Sequence, residues 1–166
     1  GVVPNPAWKL IHLLAGLKDE AGHVNLPSFY NEVVPPTEKD RELLRALPFD
    51  REALLGEMGI EEFDGDPNIP YFEKIMFRPT FNICGFKSGY AGQGSKTIIP
   101  SEAIVKFDTR LVVNQDPEKI FAAFKEYIAK KDPNIEVSFL GSMKPSKTPS
   151  DSPAIPIVME ALKKAY

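Results

Sequence analysis

The sequence predicts an α+β domain: an antiparallel sheet with two helices on one face, interrupted by a helical insertion. Three observations carry this. Apolar residues recur with period two over 75–86, 97–112 and 135–139. They recur at helical spacing over 6–18 and 117–130. Between the first helix and the first strand, Pro27, Pro35, Pro36 and Pro48 cut the chain into short pieces. The bulk numbers agree. A chain of 166 residues that is 43% hydrophobic and 26% charged can bury a sizeable core without metals or disulfides. The single cysteine, Cys84, allows no internal disulfide and no cysteine-based zinc site. A net charge of −3 argues against a nucleic-acid-binding face. No apolar run approaches the ~18–20 residues of a membrane span.

Taken in order, Asn5 and Pro6 open the first helix as cap and first-turn proline, and Ala7, Leu10, Ile11, Leu14 and Leu17 supply its stripe. The insertion spans 24–73. Within it, Thr37 and Asp40 resemble a capping box that starts a short helix to about 46. Asp50 caps a second, with Gly59 just past its end. Ile75–Phe86 reads as a strand made irregular by Pro79. A glycine-rich connection with Gly89, Gly92 and Gly94 leads to the strongest strand, Thr97–Val112. Ala103, Val105, Phe107 and Leu111 share one face of that strand; Ile104, Lys106, Asp108, Arg110 and Val112 share the other. Asp116 and Pro117 repeat the cap-and-proline start of a helix, and Ile135, Val137 and Phe139 mark a last strand. Pro145–Pro153 is a polar linker, and a further helix starts near Ile155. The order helix, insertion, strand, strand, helix, strand becomes β-α-β-β-α-β, the ferredoxin-like arrangement, if one strand precedes Gly1. We therefore expect a first strand to be missing and the chain to be a segment of a longer protein.

Few residues carry obvious chemistry. His12 sits near Trp8 on the first helix, where a packed or solvated position is the plainer reading, and His23 lies in a turn. Neither has metal-ligand spacing, and no HExxH, Walker A or GxSxG motif occurs. Gly85–Tyr90 faintly echoes an RNA-binding motif, but it leads into a loop and the chain lacks a basic face. The informative stretch is 85–114. Its glycine loop runs into a strand, so it is no phosphate cradle, and on its own it reads as a long hairpin connection. Arg110 projects from the polar strand face. It is either a surface arginine paired with Asp108 or a guanidinium fork aimed at a ligand carboxylate.

Together, Gly1–Pro6, Gly89–Pro100 and Phe107–Asn114 resemble the lid, or dimerisation, domain of the M20 family of zinc exopeptidases. The carnosinase-like dipeptidase branch is the most similar, and Asn31-Glu32-Val33 followed by Pro35 and Thr37 fits it. The resemblance implies a lid domain over 1–144, with 145–166 as linker and return into a catalytic domain. That absent domain would hold two zinc ions. The chain itself would contribute no catalytic residue, metal ligand or cofactor, and would be inactive alone. The resemblance assigns substrate binding to Arg110, which would hold the substrate's C-terminal carboxylate, and to Thr97, with Gly92 and Gly94 letting the loop approach closely. Asn114 would be structural, and Val113 departs from a proline often found there. The implied partners are a second copy, forming a homodimer, and a dipeptide or similar small substrate, with no nucleic acid and no membrane. The expected compartment is the cytoplasm. Two alternatives stay open: the lid of an M20 amidohydrolase acting on N-acyl amino acids, and a non-catalytic ferredoxin-like binding module.

Overall fold

A computed structural model describes residues 1–165. Helix α1 (Pro6–Ala15) opens where expected, with Asn5 Oδ1 accepting from Ala7 N at 2.9 Å. It buries Leu10 and Leu13, and Leu17 just beyond it is 1% exposed. The next residues do not leave the core. Val24, Leu26 and Phe29 pack with Leu13, Leu17, Phe81 and Ile128 in one cluster.

The helices of the insertion begin later. Helix α2 (Glu38–Arg45) starts with a complete capping box: Asp40 N donates to Thr37 Oγ1, and Thr37 N donates to Asp40 Oδ2. Helix α3 (Arg51–Met58) is capped by Asp50 and ends at Gly59, whose φ of 67° is the left-handed conformation glycine tolerates.

Helix α4 (Tyr71–Phe77) replaces the start of the expected strand at 75. The run Ile75-Met76-Phe77 satisfies either period, and tertiary packing decides. Tyr71 and Phe72 join Phe49 and Phe63 in an aromatic cluster, with Phe49 stacked on Tyr71 at 4.9 Å. Pro79 then forces Arg78 into extended backbone, and the helix stops.

Strands β1 (Thr80–Ser88) and β2 (Ala103–Arg110) pair antiparallel, with Thr80 opposite Arg110 and Ser88 opposite Ala103. A bulge falls between Ile83 and Gly85. Strand β2 is shorter than the expected Thr97–Val112, because residues 97–102 have no partner strand and Ile98 and Ile99 stay exposed. Helix α5 (Pro117–Lys131) is capped by Asp116 and lays Ile120, Phe124, Tyr127 and Ile128 on the core. Phe81, Phe107 and Phe124 meet there with ring centroids 4.8–5.9 Å apart.

The expected last strand, Ile135–Phe139, joins no ladder. Ile135 and Val137 turn toward the core and Glu136 and Ser138 toward solvent, so the alternation is real. What is missing is a neighbour to bond with. The sheet among the described residues has two strands, consistent with a partial ferredoxin-like fold carrying a helical insertion. Helix α6 (Ala154–Ala165) follows the linker with no buried residue. No helix among the described residues is long and apolar enough to cross a membrane.

The linker is tied back to the insertion. Lys147 Nζ donates to Asp40 Oδ2 at 3.0 Å and lies 4.5 Å from the centre of the Phe77 ring. Burial alone would raise the Asp40 pKa, but the Thr37 backbone N–H and hydroxyl and the Lys147 ammonium outweigh it and hold the carboxyl at about 2. A folded pKa below the unfolded 3.8 stabilises the fold above pH ~4 and loses that contribution as pH falls toward 2. Urea unfolding between pH 6 and pH 2 should therefore show a falling midpoint, and Asp40→Asn should flatten the fall.

Candidate functional site

The alternation of β2 decides which side chains face solvent. Phe107 and Val105 turn toward the helices, so Lys106, Asp108 and Arg110 stand on the open face of the sheet. Cross-strand pairing places Asn82 beside Asp108 and Thr80 beside Arg110. The result is a polar sheet face over an apolar one. Arg110 Nε donates to Asp108 Oδ2 at 3.0 Å, and the Arg110 side chain is 81% exposed. The pairing with Asp108, one of the two sequence readings, is thus present. Asp108 holds the guanidinium through Nε, and the two terminal nitrogens have no hydrogen-bond partner among the described residues. Those nitrogens can still take a carboxylate in a two-pronged grip.

The turn that follows fixes the end of β2. Asn114 adopts φ 73°, and Gln115 is 3% exposed. Its Oε1 accepts from Val112 N at 2.9 Å, and its Nε2 donates to Phe29 O at 2.7 Å. This clasp joins the end of the Arg110 strand to the core under residues 24–30. The sequence reading missed Gln115, because its partner lies 86 positions away.

Thr97, Gly92 and Gly94 lie in the exposed connection between β1 and β2. The connection leaves the hairpin at the Ser88–Ala103 end, where Ser88 Oγ donates to Glu102 O at 2.8 Å. Arg110 sits at the other end, roughly 23 Å along β2 at the usual strand rise. No hydrogen bond joins Thr97 to Arg110 among the described residues.

The loop has internal order all the same. The Tyr90 hydroxyl donates to Gln93 O at 2.8 Å, and Lys96 Nζ lies 4.9 Å from the Tyr90 ring centre. The ring folds over Gly92 so closely that a Cβ there would sit 2.6 Å from the hydroxyl oxygen. Gly94 has φ +80°. Gly92→Ala must therefore push Tyr90 aside and reshape the loop. We expect faster amide exchange across 90–96, with little change in urea midpoint because the loop is exposed.

Neither histidine joins a cluster. Trp8 stacks on His12 at 5.5 Å, and His23 stacks on Tyr30 at 4.7 Å. Among the described residues no group of three or more His, Cys, Asp or Glu is placed to hold a metal ion.

Comparison with known proteins decides the family. The model of the peptidase dimerisation domain, M20_dimer, matches residues 1–136. The chain belongs to the M20 peptidase dimerisation domain family. The match is to this accessory domain rather than to a metal-binding catalytic core. The dimerisation domain superposes on an M20 family metallo-carboxypeptidase from Sulfolobus solfataricus with TM-score 0.91 and 36% identity, over 98% of this chain and 43% of that one. It superposes on human carnosine dipeptidase 1 with TM-score 0.81 and 25% identity, over 100% of this chain and 37% of that one. In sequence it is 33% identical to the human Beta-Ala-His dipeptidase over 112 residues, 68% of this chain and 22% of that protein. It is 28% identical to the Saccharomyces cerevisiae Cys-Gly metallodipeptidase over 127 residues, 76% of this chain and 26% of that protein. The dimerisation domain thus spans about a quarter of these curated relatives and less than half of the solved ones.

Proposed function

We propose that this chain is the lid of a two-domain zinc-dependent exopeptidase that acts on dipeptides. Residues 1–144 form the lid and dimerisation domain, and 145–166 lead back toward a catalytic domain that carries two zinc ions. The supporting observation is the Arg110 fork, braced through Nε by Asp108 and open at its outer edge on a polar sheet face. A fixed guanidinium selects substrates that end in a free carboxylate at short reach, as a dipeptide does. The names of the relatives, two dipeptidases and a carboxypeptidase, fit a substrate with that terminus.

Thr97, on the loop that Gly92 and Gly94 shape, reaches the substrate in this reading. The connection that carries Thr97 leaves the hairpin at the end opposite Arg110, and a homodimer in which each lid completes its partner's site would let the two serve one substrate. The exposed Trp8 and Ile11 of α1 offer apolar area for such a contact. The compartment that suits this reading is the cytoplasm. An amidohydrolase acting on N-acyl amino acids would use the same carboxylate grip, so hydrolysis rates for dipeptides against N-acyl amino acids separate the two.

Metal ligands lie outside this chain in this reading. Calorimetric titration of the 166-residue chain with zinc should show no stoichiometric tight site, whereas the full-length protein should show two. A tight site in the short chain would contradict the assignment.

A further inference from the structure

Arg110 is the last rung of the ladder. It pairs with Thr80, and no further pair follows among the described residues. Ladder ends open most easily, and a fraying end would carry the guanidinium with it. Asp108 does not prevent this, because it stands on the same strand and braces the side chain rather than the main chain. Phe107 and Leu111 pack the apolar side of the strand onto the core. Apolar contact has no direction, however, so it leaves the rotation of the strand end free. A fork that must meet a carboxylate to within about half an ångström needs its backbone held by directional bonds.

One side chain supplies those bonds. Gln115 N donates to Val112 O at 3.1 Å and closes a turn around the left-handed Asn114. The next residue, Asp116, caps α5. The Gln115 amide is buried at this junction and used at both ends: Oε1 accepts from Val112 N at 2.9 Å, and Nε2 donates to Phe29 O at 2.7 Å. Phe29 is itself among the most buried residues, so the far end of the clasp is fixed. Opening it would leave Val112 N and Phe29 O buried without partners, which is costly. The clasp therefore closes, two residues past Arg110, the strand end that the ladder leaves open.

We infer that Gln115 is a positioning residue for Arg110: it locks the main chain of the strand end to the core so that the guanidinium meets the substrate carboxylate in one place. This role rests on the carboxylate grip proposed above. The two supports divide the work. Asp108 orients the fork through Nε, and Gln115, which touches neither Arg110 nor substrate, fixes the backbone that carries it. Loosening the backbone spreads the fork over several positions, and the substrate then meets a grip that is correctly placed only part of the time.

Two variants of the full-length enzyme test it, each on a dipeptide and on the same dipeptide amidated at its C-terminus. Gln115→Met keeps the bulk and loses both bonds. Gln115→Glu, as the carboxylate, keeps the acceptor for Val112 N and loses the donor to Phe29 O. We expect the preference for the free acid to fall about tenfold in each, carried by KM, while the amidated dipeptide is hydrolysed within about twofold of the native rate. The Val112 amide should exchange at least ~10-fold faster in Gln115→Met. An equal loss on both substrates would show a role in the fold alone and overturn the inference. So would an unchanged preference, a fall in preference without faster Val112 exchange, or failure of both variants to fold. A native enzyme with no preference for the free acid would strike the carboxylate grip itself, and with it this role of Gln115.

Discussion

Replacing Arg110 with methionine in the full-length enzyme is expected to lower kcat/KM for dipeptides about 30- to 1,000-fold, or roughly 2–4 kcal/mol of transition-state binding. Methionine keeps much of the arginine stem's bulk and removes the fork. Stability should hardly change, because the side chain is 81% exposed and, among the described residues, its one side-chain partner is Asp108 on the same strand face. That combination separates a binding role from a structural one. A fall in kcat/KM with an unchanged urea midpoint supports the grip on a substrate carboxylate. Unchanged kinetics would return Arg110 to the ordinary surface. Arg110→Lys should recover only part of the loss, since an ammonium keeps the charge but not the planar two-pronged geometry.

Phe29→Ala should be the most damaging change to the fold. Phe29 is 1% exposed and meets Tyr30 and Phe81 edge-on, at 5.1 and 6.4 Å. Its carbonyl also accepts from Gln115. Truncating a buried phenylalanine costs about 3–5 kcal/mol, a large share of the ~5–15 kcal/mol that holds a domain folded. We expect a correspondingly lower urea midpoint. As a control, Phe139→Ala removes a ring that is 48% exposed and contacts Phe121, and should cost far less. Equal losses at the two positions would mean that the core does not centre on Phe29.

The elements that could be read from sequence are those with local punctuation. Asn5 with Pro6, Thr37 with Asp40, Asp50 with Gly59, and Asp116 with Pro117 each bond within a few residues, so their signals are complete in the sequence. Where the deciding partner is distant, the reading slipped. Helix α4 takes its state from rings at Phe49 and Phe63, far from the ambiguous Ile75-Met76-Phe77 run. Residues 97–102 have the β-branched character of a strand but no partner, so they remain a loop. The segment 135–139 has the alternation of a strand, but no strand lies beside it among the described residues, so it joins no ladder.

The site divides in the same way. Strand alternation placed Arg110 and Asp108 on one open face, and the structure supplies the bond between them. The clasp of Gln115 on Phe29 O left no local trace, because one buried glutamine among polar turn residues looks like any other. The closeness of Tyr90 to Gly92 was equally hidden. A glycine-rich loop announces freedom, whereas here a ring folded over one glycine restricts it.

The most direct test compares kcat/KM of the full-length enzyme for a dipeptide and for the same dipeptide with its C-terminus amidated, in the native protein and in Arg110→Met. An arginine that grips the carboxylate predicts a strong preference for the free acid in the native enzyme, about 30-fold or more, and near-equal rates for the two substrates in the variant. The same preference in both proteins would show that the carboxylate is recognised elsewhere, and that this domain does not hold the substrate through Arg110.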